Sequence, residues 1–339
     1  MEKIRLGKSN LRVTRIGFGG IPIQRPGEAE SIRVLRAALS AGINWIDTAF
    51  AYGSSEERIG KAIADIPRDQ VLLFTKGPGR DPETLKRQIE SSLRRLKVDT
   101  LDLYQFHIVP DRETWLTMQD NGSFELVRDL RKQGVIRHIG ASAHSREAAR
   151  AVLEHPEIEV FQFPFNFIVE KEGGEILDLC LRADVGFIAM KPFAGGELND
   201  AKAAIRFLLQ FPGLVTDPGF ETRQEVEEVT ALAKENAPLS AADRETISRL
   251  RRELGTRFCR RCGYCSPCPR GVEIVPLMTM KSFVKRFPAA SLASGWPQEA
   301  LASLEQCNEC GECEERCPYE LPIREQIREG ADALKQALR

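Results

Sequence analysis

The sequence lacks an excess of charge of either sign and lacks any long apolar run. Its 48 lysine and arginine residues balance 49 aspartate and glutamate residues, for a formal net charge of −1. This balance removes bulk electrostatics as an argument for binding nucleic acid or an anionic membrane. No apolar run reaches the ~20 residues that a membrane-spanning helix needs, and the opening MEKIRLGKSNLRV lacks the apolar stretch of a secretory signal. We therefore expect a cytoplasmic protein with no nucleic-acid or membrane partner.

Low-complexity segments are also lacking, and the remaining composition is that of a globular protein. Hydrophobic residues make up 42% of the 339 residues and charged residues 29%. A chain of this length is too long for one ordinary core. It suits a large barrel with an appended module, or two domains.

Short apolar runs alternate with amphipathic stretches from residue 13 to about 235, and we count eight such pairs. Apolar residues recur at three- and four-residue steps in the amphipathic stretches, which indicates helices. Continuous apolar strands, each followed by a helix, are typical of a parallel sheet buried on both faces. Eight units favour an α/β fold of the (β/α)8 TIM-barrel type over residues 1–235, preceded by a small hairpin that turns at Lys8–Asn10. A helical connector over 236–255 and a mainly helical module over 256–339 complete the predicted organisation.

Eight of the nine cysteines form two tight groups in the C-terminal module, and Cys180 stands alone in a predicted helix. Both groups place three cysteines at x2 spacing and follow the fourth with proline. The second group, with x3 before its fourth cysteine, matches the bacterial run for a [4Fe–4S] cluster, and the first is one residue shorter in that last gap. In two-cluster ferredoxins the fourth cysteine of each run ligates the other cluster. The predicted ligand sets are therefore Cys259, Cys262, Cys265 and Cys317 for one cluster, and Cys307, Cys310, Cys313 and Cys268 for the other.

Zinc is the rival occupant, because eight cysteines can also hold two zinc ions. A zinc ribbon, however, needs neither the third cysteine at x2 spacing nor the Cys-Pro pair. Disulfides are less compatible with a cytosolic chain. The 38 residues between the groups have helical patterns, so the module resembles the α-helical ferredoxin type more than the compact sheet type.

Ionisable residues stand at the ends of three consecutive predicted strands, where the chemistry of a (β/α)8 barrel is located. These residues are Asp47, Lys76 and His107, and Tyr52 follows on the loop after Asp47. A lysine ammonium favours the phenolate and makes the tyrosine a better acid than its reference pKa of about 10 implies. The set suits reduction of a carbonyl, in which hydride reaches carbon while Tyr52 protonates oxygen.

The first ~235 residues resemble an aldo-keto reductase. The segment INWIDTAFAYGSSEERIGKA matches the family's segment with its Asp and Tyr, while LLFTKG and LDLYQFHI match its Lys and His. The resemblance implies a (β/α)8 barrel, dependence on NADP(H) or NAD(H), and a catalytic tetrad. It also implies carboxamide ligands and a loop beside the pyrophosphate, here residues 191–196. The residues implied are Asp47, Tyr52, Lys76 and His107 for catalysis, and Ser142, Gln162, Lys191, Gly195, Gly219 and Arg223 for the cofactor.

Two departures from the family pattern bear on the cofactor. Ala143 follows Ser142 where the family usually has asparagine, so one nicotinamide contact is missing or replaced. Arg223 is the one cation in the segment 217–223, where members that prefer NADPH carry basic residues, so the choice between NADPH and NADH stays open. A minority of the family carries a C-terminal iron–sulfur module, and the whole chain resembles that subgroup.

Two functions follow as hypotheses. The first is an oxidoreductase that reduces a small aldehyde or ketone with NAD(P)H and carries two [4Fe–4S] clusters for electron transfer or structure. The second is an electron-transfer or redox-sensing protein whose barrel binds a ligand and whose clusters serve a ferredoxin or another redox partner. Nicotinamide moves two electrons and a cluster one; a flavin is the usual converter, and no sequence feature demands one. We expect Trp115 and Met118, in the segment 109–121, to be apolar walls of the substrate pocket.

Overall fold

A computed structural model of the protein describes residues 1–339, in which strands alternate with helices up to residue 235 and only helices follow. The strands are β1 (Lys3–Arg5), β2 (Arg12–Thr14), β3 (Phe18–Gly19), β4 (Trp45–Asp47), β5 (Leu72–Gly77), β6 (Leu101–Val109), β7 (Ile136–Ala143), β8 (Val160–Pro164), β9 (Gly186–Met190) and β10 (Leu214–Thr216). The α-helices are α1 (Glu28–Ser40), α2 (Ser55–Ala62), α3 (Pro82–Leu96), α4 (Arg112–Asp120), α5 (Ser123–Lys132), α6 (Arg146–Leu153), α7 (Glu170–Arg182), α8 (Ala201–Leu209), α9 (Arg223–Glu235), α10 (Ala241–Leu254), α11 (Ile274–Arg286), α12 (Ala289–Leu292), α13 (Trp296–Ser303), α14 (Glu312–Glu315) and α15 (Ile323–Ala337).

Strands β3 to β10 form one sheet in sequence order, and each pairs in parallel with its neighbours. Parallel bridges between Ile16 and Thr216 and between Gly19 and Gly219 join its first and last strands. The sheet therefore closes into the predicted (β/α)8 barrel, whose mouth lies at the C-terminal ends of the strands.

The opposite end of the barrel is closed by the predicted hairpin, in which β1 pairs antiparallel with β2. Leu6 and Val13 from the hairpin join six inward-facing strand residues in one buried cluster. Gly7 forms a bridge with Val185, next to the start of β9. An alanine at Gly7 would place its Cβ 2.1 Å from the Gly186 nitrogen, so glycine is needed for this close contact.

The segment between β6 and α5 differs from the prediction. It forms helix α4, in which the Asp111 side chain caps the Thr114 N–H. Trp115 and Met118 point into the core, and the Trp115 ring packs edge-on against Phe106. The expectation that they wall the substrate pocket was wrong, because burial on the amphipathic face of α4 turns them away from the mouth.

Helix α10 connects the barrel to the module and packs on the barrel wall. Its Asp243 accepts a hydrogen bond from Arg206 of α8 at 3.0 Å. In the module, α11 lies against α15 at a close approach through Gly330. A small apolar cluster includes Cys265 and has five more of the grouped cysteines packed against it. None of the helices is long and apolar enough to span a membrane.

The module lies across the barrel mouth, which the sequence did not indicate. Ser282 of α11 donates a hydrogen bond to the Gly195 carbonyl at 2.8 Å, and Lys285 donates to the Gly196 carbonyl at 3.2 Å. From the barrel, Arg25 donates to the Lys285 carbonyl. Helix α11 therefore holds the loop that follows β9.

Candidate active site and cysteine clusters

The strand ends bring Asp47, Lys76, His107 and Tyr52 together at the mouth. The Lys76 ammonium donates to the Asp47 carboxylate and, at 2.9 Å, to the Thr48 carbonyl. It lies 5.3 Å from the centre of the Tyr52 ring. The Tyr52 and His107 rings meet edge to face, with their centres 5.7 Å apart. Lysine, tyrosine and histidine thus surround one point, as the sequence predicts.

Two glutamines hold Asp47 in place, and one of them also binds a second aspartate. Gln105 donates to one carboxylate oxygen at 3.1 Å, and Gln162 donates to the other at 3.2 Å. Gln162 also donates to Asp217, which follows β10, at 2.8 Å. Burial raises the pKa of Asp217 well above its usual range, and the charge of Asp47 raises it further. The sequence analysis did not connect Asp217 with the tetrad.

The pKa of Tyr52 corrects one expectation. Burial raises this pKa to about 12, even though the Lys76 ammonium acts in the opposite direction as predicted. The carboxylates of Asp47 and Asp217 add to the increase. For Lys76, burial acts to lower the pKa, but the surrounding anionic groups outweigh it and raise the pKa overall. Without bound ligands, therefore, both Tyr52 and Lys76 hold their protons near neutral pH.

His107 is a neutral imidazole at this site. Burial lowers its pKa well below the usual range, and the positive charges of Lys76 and Arg80 lower it further. Its Nδ1 atom is buried without a hydrogen-bond partner. A neutral histidine keeps one N–H, which can donate to a carbonyl oxygen.

The residues predicted to hold a nicotinamide carboxamide lie beside the tetrad with free hydrogen-bonding capacity. Ser142 accepts a bond from the Ile108 N–H at 2.9 Å, which leaves its hydroxyl proton available. Gln162 donates to carboxylates, while its Oε1 is buried without a partner. The pair therefore offers the donor and the acceptor that a carboxamide requires, and its chemistry fits this end of the cofactor.

The loop Lys191–Gly196, here called the cofactor loop, lies on the same side of the mouth. Asn166 donates to the Lys191 carbonyl at 2.9 Å, so it braces the loop. Gly195 has φ +73 and Gly196 φ +96, values that favour glycine. A side chain at Gly195 would also collide with Ser282, because an added Cβ lies 2.5 Å from that hydroxyl.

The four tetrad residues, Ser142, Gln162, Asp217 and most of the cofactor loop line one cavity of about 280 Å³, here called the active-site cavity. Gly219 lines it as predicted, but Arg223 does not. Arg223 is exposed because it opens helix α9, which is capped by Thr222 and Glu225. The cavity also contains residues that the sequence analysis missed. They come from the module and from the strand β7 end: Arg261, Phe283, Lys285, Arg286, Phe287 and His144.

The eight grouped cysteines lie around two small cavities of about 20 Å³ each. None of the eight forms a disulfide. They do not enclose a site for a single metal ion. One cavity is lined by Cys259, Cys262, Cys265 and Cys317. The other is lined by Cys268, Cys307, Cys310 and Cys313, with Cys265 at its edge. The fold thus brings each predicted ligand set together, including the exchanged fourth cysteines.

Comparisons with known proteins agree with this geometry. The sequence model described as "Aldo/keto reductase family" matches residues 15–236, and one described as "4Fe-4S dicluster domain" matches residues 258–322. The first match covers more than half of the chain. The chain therefore belongs to the aldo/keto reductase family of oxidoreductases, and it carries an iron–sulfur dicluster domain at its C-terminal side. Both parts of the predicted resemblance are confirmed.

Curated relatives match somewhat more than half of this chain. "Aldo-keto reductase YhdN" of Bacillus subtilis is 34% identical over 197 residues, which cover 52% of this chain and 56% of the relative. "NADH-specific methylglyoxal reductase" of Escherichia coli is 29% identical over 231 residues, which cover 59% of this chain and 69% of the relative. The matched parts thus span about half to two thirds of these relatives.

Solved structures give the same result for the fold. The aldo-keto reductase AKR11C1 from Bacillus halodurans has a TM-score of 0.64 at 25% identity, covering 74% of this chain and 96% of its own. An aldo-keto reductase from Klebsiella pneumoniae, solved in complex with NADP and acetate, has a TM-score of 0.62 at 24% identity. The match covers 74% of this chain and 95% of that structure. The predicted barrel fold is confirmed.

Proposed function

We propose that the barrel reduces an aldehyde or ketone to an alcohol with hydride from NADPH or NADH, and that Tyr52 supplies the proton. The observation that carries the proposal is the convergence of Tyr52, the Lys76–Asp47 pair and a neutral His107 at one mouth. Each of these groups has a task in carbonyl reduction.

The protein groups divide the work as follows. The His107 N–H and the Tyr52 hydroxyl donate to the carbonyl oxygen and orient it. As hydride reaches the carbonyl carbon, the Tyr52 proton passes to oxygen, and the phenolate left behind lies beside the Lys76 ammonium. Asp47 keeps that ammonium charged and in place. Solvent returns the proton to Tyr52 after turnover.

The cofactor assignment rests on the same cavity. Ser142 and Gln162 would hold the carboxamide, and the cofactor loop would lie beside the pyrophosphate; the bound dinucleotide supplies the hydride. The Klebsiella pneumoniae neighbour was solved with NADP, whereas the Escherichia coli relative is named NADH-specific. We therefore propose a nicotinamide cofactor and leave both forms as candidates.

We further propose that the module holds two [4Fe–4S] clusters. The support is the arrangement of eight cysteines, none of them in a disulfide, around two cavities, four for each cluster with the exchanged fourth cysteines. When bound, such clusters supply one-electron transfer or structural support.

The experiment is to compare Tyr52→Phe with wild type in the reduction of a panel of aldehydes and ketones. General-acid catalysis contributes about 10²–10⁴-fold, so we expect a loss of that size with the iron content unchanged. Tyr104→Phe is the matched control. Tyr104 is buried outside the cavity, and its hydroxyl has no partner. Full carbonyl reductase activity in Tyr52→Phe would refute the proposal.

A second candidate is an electron-transfer or redox-sensing protein whose clusters serve a partner such as a ferredoxin. It is favoured by the position of two predicted cluster ligands. Cys259 lines a cavity of about 130 Å³ together with Lys191 and Gly195 of the cofactor loop, and Cys262 lines another with His144. Anaerobic titration with NADPH and then NADH separates the candidates. Loss of visible cluster absorbance on binding favours this second function, and unchanged absorbance favours the first.

A further inference from the structure

The side of the active-site cavity that the module provides is basic and aromatic. Two arginines lie at the ring of Phe283. The guanidinium carbon of Arg261, which stands between two predicted cluster ligands, is 5.0 Å from the ring centre. That of Arg286, the last residue of α11, is 5.4 Å from it. Arg286 also donates from Nε to the Ser282 carbonyl at 2.9 Å, which fixes its orientation. Phe287 continues the apolar surface within the cavity.

Arg286 has no acidic partner at this position, because each nearby carboxylate is engaged elsewhere. Glu197 pairs with Lys285 at 2.9 Å, and Glu221 pairs with Arg25 at 2.9 Å. Glu225 accepts the backbone N–H groups that begin α9. Burial and, to a smaller extent, the charge of Arg261 lower the pKa of Arg286 to about 10, although Glu197 acts in the opposite direction from its pair with Lys285. A half-buried cation without a counter-charge is costly unless an anion binds there.

Arg261 and Arg286 differ in what surrounds them. Arg261 lies close enough to Cys259 to interact with a thiolate, so a cluster bound there would offset its charge. Both arginines interact with Tyr52 across the active-site cavity, but Arg286 has no cysteine beside it. The positive charge that remains free is therefore at Arg286, in the same cavity as the group that we propose as the proton donor.

We infer that Arg286 binds an anionic group of the carbonyl substrate, a carboxylate or a phosphate, while the carbonyl lies at Tyr52. A guanidinium pairs with either anion through two parallel hydrogen bonds. The apolar rings of Phe283 and Phe287 accommodate the carbon skeleton between the two ends. This inference rests on the proposed function and narrows its substrate class to small aldehydes and ketones that carry a negative charge.

The anion can come from a second source, the pyrophosphate of the dinucleotide, because the cofactor loop lines the same cavity. The test therefore has one arm for the substrate and one for the cofactor. The substrate arm uses two matched pairs that differ in charge. They are 4-carboxybenzaldehyde with its methyl ester, and D-glyceraldehyde 3-phosphate with D-glyceraldehyde. The cofactor arm measures NADPH and NADH affinity by nicotinamide fluorescence.

The variants are Arg286→Met, Arg286→Lys and Lys281→Met in the cluster-loaded protein. Lys281 lies on the same helix but bonds Glu329 within the module, so its variant is the control. We expect Arg286→Met to lower kcat/KM about tenfold or more for the charged member of at least one pair, since a hydrogen bond to a charged group is lost. The neutral members stay within about twofold, Arg286→Lys restores part of the loss, and Lys281→Met changes neither.

Equal losses for charged and neutral aldehydes would overturn the inference. So would weaker dinucleotide binding in Arg286→Met with an unchanged charged-to-neutral ratio, because the cation would then serve the cofactor. If wild type reduces none of the four aldehydes, the proposed function fails for this substrate class, and calorimetry decides the inference separately. The anion site is supported if Tyr52→Phe binds the charged aldehydes more tightly than their neutral partners and if this difference disappears in the double variant Tyr52→Phe/Arg286→Met. Equal binding of charged and neutral aldehydes to Tyr52→Phe refutes it.

Discussion

Tyr52 retains its proton because the cavity opposes a buried phenolate more strongly than Lys76 favours one. Its pKa is raised to about 12, so the acid form that reduction requires persists as the pH rises until the pH approaches that value. We predict that kcat/KM for carbonyl reduction shows no alkaline loss between about pH 6 and about pH 9. The measurement is a pH profile at a fixed nicotinamide concentration. An alkaline decline with an apparent pKa inside that range would contradict this reading of the site.

The Lys76–Asp47 pair is nearly fully enclosed, with 2% of each side chain exposed. Removal of one partner leaves the other as a buried, unpaired charge, which typically destabilises a protein by about 3–5 kcal/mol. We predict a loss of this order in the free energy of unfolding for Lys76→Met. The control is Lys61→Met, which breaks an exposed pair with Glu28 and costs about 1 kcal/mol or less. Denaturant unfolding followed by circular dichroism makes the comparison, and equal effects would refute the prediction.

The residues of the active-site cavity differ in how readily they can be predicted from the sequence. Asp47, Lys76 and His107 were predictable because each interrupts an apolar strand at its end. Asp217 and Arg286 act on the same cavity through contacts between segments far apart in the chain, and no local pattern carries that information. The net pKa of Tyr52 was unpredictable for a related reason, since it depends on how deeply the phenol is buried.

Among the elements of the module, α11 and α15 approach each other through Gly330. An alanine there would place its Cβ 2.1 Å from the Leu277 carbonyl oxygen, so the helices must separate. We predict that Gly330→Ala lowers the iron content and the unfolding midpoint of the module. The control is Gly174→Ala in α7, where nothing lies within 4 Å and alanine stabilises a helix by roughly 0.5–1 kcal/mol. Normal iron content in Gly330→Ala would contradict the prediction.

Whole elements followed well from periodicity. The eight apolar runs became β3 to β10, and the hairpin formed where the sequence placed it. The segment containing α4 was misjudged because its apolar residues, Trp115 and Met118, were assigned to a substrate wall by position alone. Their spacing fits one helical face, and the packing of Trp115 against Phe106 shows that this face points into the core.

For the whole molecule, the exchanged ligand sets make a prediction that single variants do not test. Cys307→Ala should cost one cluster, lowering iron from about eight to about four atoms per chain. Adding Cys268→Ala, at the same cavity, should cost no more iron. Adding Cys317→Ala instead should empty both sites, because Cys317 lines the other cavity. If instead Cys307→Ala/Cys268→Ala empties both sites and Cys307→Ala/Cys317→Ala costs only one cluster, each group of four consecutive cysteines holds its own cluster.

The relation between the barrel and the module exists only in the folded molecule. Cysteine spacing predicted the module, and strand periodicity predicted the barrel, but neither indicates that α11 bonds to the cofactor loop. That contact makes the module part of the active-site cavity, and Cys259 lines a neighbouring cavity together with the cofactor loop.

The central claim is that hydride passes directly to a carbonyl at Tyr52. The most direct test is reduction of a charged aldehyde with nicotinamide deuterated at its transferable position, carried out anaerobically in the cluster-loaded protein. We predict one deuterium at the carbinol carbon, unchanged cluster absorbance during turnover, and formation of labelled product about 10²–10⁴-fold more slowly in Tyr52→Phe. Hydrogen from solvent at that carbon, together with cluster bleaching, would contradict it and indicate one-electron chemistry instead.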